Sequence, residues 1–536
     1  MAVTAHPLAT RAALDMLRRG GSAADAAIAA QMVIGLVEAQ SSGLGGGTLA
    51  MYWDAAGRKL TAWDGLARAP AKVTPGLRVD VDGTQLDADL VSRGGRSVGV
   101  PGTLPLMKQL HERHGKLPWA RLFDPAIAMA EQGFAMAPYM HGILAARGAA
   151  ETHPELRGTF LNADGSLPPV GTILRNPAYG ATLRRIAAGG AEALYAGGHG
   201  EEFLAAVKRG GKPGLIEESD LRSYRVAERA PLCAPFLAYS VCVMAPPSFG
   251  GVYVLQVLQM LEARAGGRFD FADPAFAHLY LEAGKLAQAD RRRYVGDPDF
   301  FAVPAREMID PGYLRARAAA IDLTRAEADP KPGTPAPGLA GLTDDESEHF
   351  AATSQIAVVD RRGNALSITT TINLNFGSRL AAGGYVLNNA MTNFAPAPRG
   401  NAVAVNRMEP NKRPVSSMAP TMAFDRSGRP VVVGGSAGGG PIVDYIAQSL
   451  VEMLANDRAP AEALAQGHLS TATAGKIQLE RGSAAAALAG PLRARGHEVE
   501  EATLLSGLGF LKRAAQGWQG AADPRRDGAA LALTSN

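Results

Sequence analysis

The chain has 536 residues, of which 47% are hydrophobic and 20% are charged, and its net charge is +3. These values are typical of a soluble globular protein with enough length for a large core. Basic residues are interleaved with acidic ones and form no aromatic-rich basic tract, so we expect no nucleic-acid partner. An apolar run at 26–37 is broken by Gln31 and is too short to span a bilayer. No export signal is visible, so the sequence as written predicts a cytoplasmic protein, or a periplasmic or secreted one if an export segment is missing.

The cysteines and histidines do not indicate a metal site or a cofactor. Cys233 and Cys242 lack CxxC spacing, and we expect both to be buried structural cysteines. His111 and His114 are one residue too close for an HExxH zinc motif, and we expect them at the solvated end of a polar helix. The sequence therefore predicts no metal and no cofactor.

The first part of the chain predicts two helices followed by a β-hairpin. Ser22, with Asp25 three residues later, has the pattern of an N-cap that begins the second, Ala-rich helix. A run of serines and glycines ends that helix. The predicted bounds are 8–17 and 22–37 for the helices and 49–53 and 60–63 for the strands.

Residues from about 104 to 330 are predicted to be mostly helical, with interruptions at Pro and Gly. The composition then shifts, because the segment from about 326 to 350 is rich in proline, glycine and acidic residues and cannot continue a helix or a sheet. We expect a solvated, flexible linker there. Such a segment allows the two ends of a cut chain to separate, but a plain domain linker has the same composition.

Thr353 begins the most informative stretch, because a short strand, a turn and a second Thr-rich strand follow it directly. A threonine hydroxyl is a poor nucleophile unless a base takes its proton, and a free α-amino group on the same residue supplies that base. If Thr353 is the nucleophile, the chain is a precursor that is cut between Ala352 and Thr353. Threonine is also common in ordinary hairpins, so the local sequence leaves both interpretations open.

A glycine-rich turn at 434–440, between a predicted strand and helix, admits three interpretations. Ser436 has the position of a nucleophile elbow in a serine hydrolase. The acid and histidine for it would come from later in the chain, for example Asp457, His468 and His497. Alternatively, Gly438 and Gly439 offer backbone N–H groups to an oxyanion. The third interpretation is a tight turn without a catalytic role.

The segment 410–420 places two prolines around the paired hydroxyls of Ser416 and Ser417. These hydroxyls can hydrogen-bond a substrate carboxylate, and the charges of Lys412 and Arg413 favour anions. An exposed turn with ordinary charges has the same pattern.

Together these segments resemble the gamma-glutamyltranspeptidase family of N-terminal-nucleophile hydrolases. The resemblance covers nearly the whole chain and lies in the order and spacing of its motifs. These motifs are the segments 6–8, 41–47, 99–103, 247–251, 290–298, 353–360, 411–420, 435–439 and 523–526. The resemblance implies a four-layer αββα sandwich of the α+β class. It also implies autocatalytic cleavage into a large subunit, 1–352, and a small subunit, 353–536.

The resemblance assigns roles to single residues as well. It implies that Thr353 attacks an amide carbonyl and forms an acyl-enzyme, which water or an amine acceptor resolves. It implies that the hydroxyl of Thr371 hydrogen-bonds and activates this nucleophile. The other implied residues are Asn373 at the substrate's α-amino end, Ser416 and Ser417 at its α-carboxylate, and Gly438 and Gly439 in the oxyanion hole. The last assignment disfavours Ser436 as a nucleophile.

Departures from the family pattern concern the substrate more than the reaction. The arginine that clamps the α-carboxylate in the family is displaced, because Leu66 and Ala67 come first and Arg68 follows two positions late. The positions of the family's ammonium-binding glutamine and aspartate hold Ala390 and Asn393. Losing a charged hydrogen bond of this kind costs about 1.5–3 kcal/mol of binding free energy.

We therefore expect an amidohydrolase or acyltransferase that cleaves a γ-glutamyl amide such as glutathione, or a related small-molecule acyl amide. One alternative is an acylase of glutaryl or other N-acyl amides that lack a free α-amino group. An alternative of another class is a catalytically silent binding homologue.

Overall fold

Two antiparallel β-sheets, packed face to face and covered by helices on their outer faces, organise the computed structural model. The structure describes residues 1–74, 91–147, 154–195, 197–209, 213–347, 352–396, 403–472 and 475–533. Within these residues, the first sheet has the strand order Ala529–Leu531, Ala2–Thr4, Ser354–Val359, Ala365–Thr371, Gly47–Asp54, Lys59–Gly65 and Ala227–Arg229. The second sheet has the order Gly517–Ala522, Gly509–Ala514, Pro430–Gly435, Thr421–Phe424, Tyr239–Val243 and Leu232–Phe236.

Helices cover the outer face of each sheet and bury its apolar side chains. Those in the core of the first sheet are Pro7–Arg18, Ala23–Val37, Thr103–His114, Asp124–Gln132, Pro138–Arg147, Pro154–Phe160, Pro177–Gly189, Gly198–Lys208 and Glu218–Ser223. Those in the core of the second sheet are Gly250–Arg264, Pro274–Tyr294, Ala305–Met308, Pro311–Ala319, Ile442–Leu454, Pro460–Leu464 and Ala489–Ala494. Short strands outside the two sheets lie at 134–135, 173–174, 342–343, 381–382, 385–386, 403–404, 469–470, 477–480 and 499–502. None of the described helices has both the length and the apolar character that a membrane crossing needs.

The helix Ala23–Val37 lies at the centre of the first helical layer, and every one of its side chains is buried. Ser22 caps it as predicted: its hydroxyl accepts from the amide of Asp25, and the Asp25 carboxylate accepts from the amide of Ser22 at 2.8 Å. The small alanine side chains allow this helix to lie close to the sheet.

The strand Ser354–Val359 shows how the layers are stacked. Ile356 and Val358 belong to the core shared with the first helical layer, whereas Ala357 and Val359 belong to the core between the two sheets. Alternation along a strand sends successive side chains to opposite faces, so a strand between a helical layer and a second sheet buries both of its faces. The layers follow the order helix, sheet, sheet, helix, and the predicted α+β sandwich is confirmed.

The expectation of two buried cysteines is wrong. Cys233 and Cys242 occupy directly opposite positions on neighbouring strands of the second sheet and form a disulfide, with Cys233 exposed. The strands at 227–243 also interrupt the region predicted to be mostly helical. Buried and exposed residues alternate strictly along the strand Leu232–Phe236, at the edge of the second sheet. This is the pattern of a strand with one solvent-exposed face.

The segment 326–347, expected to be a solvated linker, is mostly exposed or half-exposed but contacts the rest of the protein at several points. The amide of Gly333 donates to the carboxylate of Asp290 at 2.8 Å, and Asp345 is buried, with its amide donating to the carbonyl of Arg292. Burial raises the pKa of Asp345. Residues 348–351, the last part of this predicted linker, are outside the described residues.

Candidate active site

Thr353 lies directly before a central strand of the first sheet and is buried. Strand alternation places its side chain on the same face as Gln355, toward the second sheet. Gln355 packs against Gly435 of that sheet and exchanges hydrogen bonds with the hydroxyls of Ser367 and Thr369. The candidate nucleophile therefore faces the space between the two sheets.

Thr371 lies at the end of the strand next to Thr353. Its hydroxyl donates to the carbonyl oxygen of Ala352 and accepts from the amide of Asn373 at 2.7 Å. The resemblance implied a contact between Thr371 and the nucleophile; in the continuous chain, Thr371 binds the carbonyl of the 352–353 peptide bond instead. A donor at this oxygen stabilises the negative charge that develops when a nucleophile adds to the carbonyl.

Close approach of two backbones fixes the position of Thr371. A Cβ atom on Gly46 would lie 2.2 Å from the carbonyl oxygen of Thr371, so only glycine fits there. Asn373 follows in a left-handed conformation, with φ of 80°, and its side-chain nitrogen Nδ2 donates to the hydroxyl of Thr392 at 2.8 Å. The glycine-rich loop and this turn together hold the Thr371 hydroxyl at the 352–353 bond.

A small cavity of about 20 Å³ lies beside Thr371. Its lining consists of Gly47, Leu66, Ala67, Thr371, Asn373, Ala390, Asn393, Pro414, Val415 and Ser416. None of these lining side chains is charged. The volume is sufficient for about one water molecule, so a larger acyl group requires the lining to move.

The side chain of Asn393 gives this cavity a neutral hydrogen-bonding group. Asn393 is 8% exposed, and its side-chain oxygen has no hydrogen-bond partner among the described residues. Its backbone carbonyl accepts from the side-chain nitrogen Nδ2 of Asn406 at 2.7 Å, which fixes the residue beside the cavity. The neighbouring Ala390 adds only a methyl group to the lining. The described residues in this part of the cavity therefore offer no charge to pair with an ammonium group.

The two serines of the 410–420 segment have different positions. Ser416 lines the cavity, and its oxygen accepts from the amide of Met418 at 3.2 Å, which leaves its hydroxyl hydrogen available for a ligand. Ser417 instead donates its hydroxyl to the carbonyl of Gly439 at 2.7 Å. The structure therefore places Ser416 at the cavity and Ser417 against the glycine turn.

The glycine turn presents two backbone N–H groups without internal partners. Gly438 and Gly439 have φ values of 134° and 73°, in the left-handed region. No acceptor within the described parts of the chain hydrogen-bonds the amide of either residue. Free backbone amides on a rigid turn are the kind of donor that can stabilise an oxyanion.

The structure does not assemble a serine-hydrolase site around Ser436. Its hydroxyl is fully buried and donates to the carbonyl of the next residue, Ala437, at 2.7 Å. The candidate partners contact other groups: His468 lies 2.7 Å from Ser506, His497 lies 2.7 Å from His278, and Asp457 lies 2.6 Å from Lys512. Ser436 therefore supports the turn.

Arg68 does not line the cavity. Its guanidinium donates to the hydroxyl of Ser223 at 2.6 Å and lies over the ring of Tyr224. Burial lowers the pKa of Arg68. The arginine that follows the position of the family clamp thus contacts a neighbouring helix and not the substrate site.

Lys412 and Arg413 are also committed to protein partners. The buried ammonium of Lys412 donates to the carboxylate of Glu409 at 2.8 Å, and burial lowers the pKa of this lysine. Arg413 lies 3.4 Å from the buried carboxylate of Asp64, which also pairs with Arg229. These two charged side chains are paired within the protein, next to the cavity-lining residues 414–416, and do not themselves line the cavity.

Sequence reasoning did not single out Glu38, which lies close to Thr353. Its carboxylate accepts a 2.7 Å hydrogen bond from the hydroxyl of Ser354, and Ser42 donates to that same hydroxyl oxygen at 3.0 Å. Burial raises the pKa of Glu38 to about 7. An acidic residue directly after the apolar stretch 32–37 was the signal available in the sequence.

One cluster of the described residues brings potential metal ligands together: His278, Glu282 and His497, all buried. His278 and His497 face each other with a nitrogen–nitrogen distance of 2.7 Å, which is a hydrogen bond. Two nitrogen ligands of a tetrahedral zinc ion lie about 3.3 Å apart. Lys285 places its ammonium 2.5 Å from the Glu282 carboxylate. The cluster is therefore arranged as a hydrogen-bonded network, not as a metal site.

The fold and the site together define a class of enzyme. An αββα sandwich carries a buried threonine at the start of a central strand, and a second threonine binds the carbonyl of the residue before it. This is the architecture of an N-terminal-nucleophile hydrolase.

Comparison with known proteins gives the family. A sequence profile of the family described as Gamma-glutamyltranspeptidase matches residues 9–533. The chain is 34% identical over 517 residues to the Acylase ACY 1 proenzyme of Pseudomonas sp. (strain SE83), covering 95% of this chain and 88% of that protein. It is 31% identical over 459 residues to the glutathione hydrolase proenzyme of Bacillus subtilis (strain 168), covering 84% and 77%. The crystal structure of cephalosporin acylase from Bacillus halodurans matches with a TM-score of 0.87 and 26% identity, covering 100% of this chain and 96% of that one.

The chain belongs to the gamma-glutamyltranspeptidase family. It is an amidohydrolase and acyltransferase of the gamma-glutamyltransferase type, made as a proenzyme. The family predicted from the order of the motifs is confirmed, and the enzyme is favoured over a catalytically silent homologue.

Proposed function

We propose that the chain is cut between Ala352 and Thr353 and that Thr353 is the nucleophile of the mature enzyme. The observation that carries this proposal is the hydrogen bond from Thr371 to the Ala352 carbonyl, because it polarises the one bond that must break. The Thr353 hydroxyl adds to that carbonyl, the carbon–nitrogen bond breaks, and the nitrogen leaves as the new α-amino group. Water then hydrolyses the resulting ester and leaves Thr353 at the start of the small subunit.

In the mature enzyme, the new amine takes the proton of the Thr353 hydroxyl as the oxygen attacks a substrate amide. The free N–H groups of Gly438 and Gly439 receive the developing oxyanion. The amine part of the substrate leaves with a proton, and the acyl group remains as an ester on Thr353. Water or an amine acceptor then releases the acyl group and restores the hydroxyl.

We propose further that the preferred acyl group is glutaryl-like and lacks a free α-amino group. Among the described residues, the cavity lining has no charged side chain, and Ala390 and Asn393 supply no negative charge for an ammonium group. The hydroxyl of Ser416 remains available for the carboxylate of such a substrate. The acylase relatives also match more of this chain than the glutathione hydrolase of Bacillus subtilis does.

The second candidate substrate class is a γ-glutamyl amide such as glutathione. It is favoured by the relatives that are named glutathione hydrolase proenzymes, which are 31% identical to this chain. Asn373 lines the cavity, and for this substrate class it would contact the α-amino end of the γ-glutamyl group. The two classes share the nucleophile and differ in one ammonium group.

Two experiments test these proposals. On a denaturing gel the purified protein is expected to give two bands, the smaller one beginning at Thr353 by N-terminal sequencing, whereas Thr353→Ala gives one full-length band without activity. Ser427→Ala, at an exposed hydroxyl, is the matched control and retains both. Processing in the Thr353→Ala variant contradicts the nucleophile assignment. Hydrolysis rates for glutaryl and γ-glutamyl p-nitroanilides decide between the substrate classes, and a clear preference for the γ-glutamyl compound contradicts the glutaryl proposal.

A further inference from the structure

We propose that Glu38 is a positioning residue for Thr353 and that it acts through the hydroxyl of Ser354. The inference rests on the proposed role of Thr353 as the nucleophile. Ser354 follows Thr353 directly, and alternation along the strand sends its side chain to the opposite face, toward the helical layer. Glu38 therefore holds the start of the strand from the side of the helical layer, while Thr353 faces the space between the two sheets.

On the face of the strand toward the helical layer, three side chains form a short series of hydrogen bonds. The hydroxyl of Ser354 donates to a carboxylate oxygen of Glu38 at 2.7 Å and accepts from the hydroxyl of Ser42 at 3.0 Å. None of the three residues is more than 1% exposed. Ser354 has one donor hydrogen, so Glu38 determines the direction in which this hydroxyl points.

Arg526 fixes the same stretch of backbone from another side. One of its guanidinium nitrogens donates to the carbonyl of Thr353 at 3.1 Å, and another donates to the carbonyl of Leu505 at 3.0 Å. Its positive charge favours the carboxylate form of Glu38, whereas the negative charge of Asp527 opposes it. Thr353 and Ser354 are thus held through a backbone carbonyl and a side-chain hydroxyl by two charged residues from distant parts of the chain.

The chemistry of Glu38 is difficult to explain by stability alone. Burying a carboxyl group without a full set of charged partners is unfavourable, and burial raises the pKa of Glu38 to about 7. Its backbone amide already ends the helix by donating to the carbonyl of Ile34 at 2.9 Å, a contact that any residue makes. The contact with Ser354, in contrast, requires an acceptor oxygen in the side chain at position 38.

The expected consequence is a loss of rate with little loss of substrate affinity. A misplacement of about 1 Å between reacting atoms lowers rates by up to about 100-fold. The cavity residues Asn373 and Ser416 do not contact Glu38, so substrate binding is retained. For Ser354→Ala we expect a kcat that is about 10- to 100-fold lower, and a KM within about threefold of the original value.

A matched pair at Glu38 separates positioning from packing. Glu38→Gln keeps an oxygen that accepts from Ser354, and we expect kcat to stay within about threefold of the original value. Glu38→Ala removes the acceptor, and we expect the same loss of kcat as in Ser354→Ala. The measurements are kcat and KM for the preferred p-nitroanilide per processed enzyme, the processed fraction on a gel, and the melting temperature.

An unchanged kcat in Ser354→Ala overturns the inference, whatever happens to the melting temperature. Equal losses in Glu38→Gln and Glu38→Ala also overturn it, because the acceptor then has no separate role. Thr353→Ala is measured in parallel. If that variant is still processed and active, the proposed function fails; if it is inactive while Ser354→Ala is normal, only the role of Glu38 fails.

Discussion

Introducing a negative charge at position 393 is expected to convert the acyl preference of this enzyme. The change is Asn393→Asp, alone and with Ala390→Gln, which restores the two groups that the family pattern has at these positions. Asn393 is 8% exposed and lines an uncharged cavity, so a carboxylate there has little competition from water for a substrate ammonium. A hydrogen bond between charged groups contributes about 1.5–3 kcal/mol, which corresponds to about one to two decades in kcat/KM.

The assay is the release of p-nitroaniline from γ-glutamyl and glutaryl anilides, expressed as the ratio of the two kcat/KM values. We expect Asn393→Asp to raise the ratio in favour of the γ-glutamyl compound at least about tenfold, and the double variant to raise it further. Burial raises the pKa of a new carboxyl group, so the ratio is measured above neutral pH, where that group is ionised.

Asn393→Ala is the matched control, because it removes the amide without adding a charge. Its ratio is expected to stay within about threefold of the original value, even if both rates fall. A processed double variant with an unchanged ratio would refute the reasoning, because the missing charge would then not determine the acyl preference.

Three further predictions concern the oxyanion turn, acid stability and the charged wall of the site. Gly438→Ala adds a Cβ atom 2.6 Å from the ring of Tyr445 at a φ of 134°, and we expect kcat to fall at least about 100-fold by steady-state assay; a normal kcat contradicts the oxyanion assignment. His497 has its pKa lowered from 6.5 to about 3 by burial, so its contribution to stability is complete above pH 6.5 and declines as the pH falls toward 3. Urea unfolding between these values should show a slope of up to about 1.4 kcal/mol per pH unit that His497→Gln reduces, and an equal slope in that variant assigns the effect elsewhere. Arg413→Met removes one of the two arginines that neutralise the buried carboxylate of Asp64, and it should lower the free energy of unfolding by about 3 kcal/mol. A change below about 1 kcal/mol means that Arg229 alone neutralises this carboxylate.

Local signals predicted the parts of the fold that depend on neighbouring residues. The capping box of Ser22 and Asp25 and the hairpin at 47–65 follow from residues within one or two turns of each other. The strand Ser354–Val359 was likewise predicted, at 356–360, with its start two residues late and its end one residue late. Such elements are readable because their hydrogen bonds close over short distances in the chain.

Contacts between distant segments were not readable in the same way. The hydrogen bond between Glu38 and Ser354 joins residues 316 positions apart. The disulfide partner of Cys233 is set by a hairpin that lies within a region predicted to be mostly helical. The separate positions of Ser416 and Ser417 depend on where the glycine turn of another strand lies. Motif order identified the family and the region of the site, whereas the direction of each hydroxyl required the folded chain.

The strand order of the first sheet has a consequence for the cut enzyme. Ala2–Thr4 lies between Ala529–Leu531 and Ser354–Val359, and Gly47–Asp54 pairs with Ala365–Thr371, so pieces from both sides of the 352–353 bond alternate across one sheet. After the proposed cleavage, neither polypeptide can dissociate without breaking the hydrogen bonds between strands of this sheet. Denaturation of the mature enzyme therefore releases two molecules where the precursor released one, and recovery from urea should depend on protein dilution only after maturation.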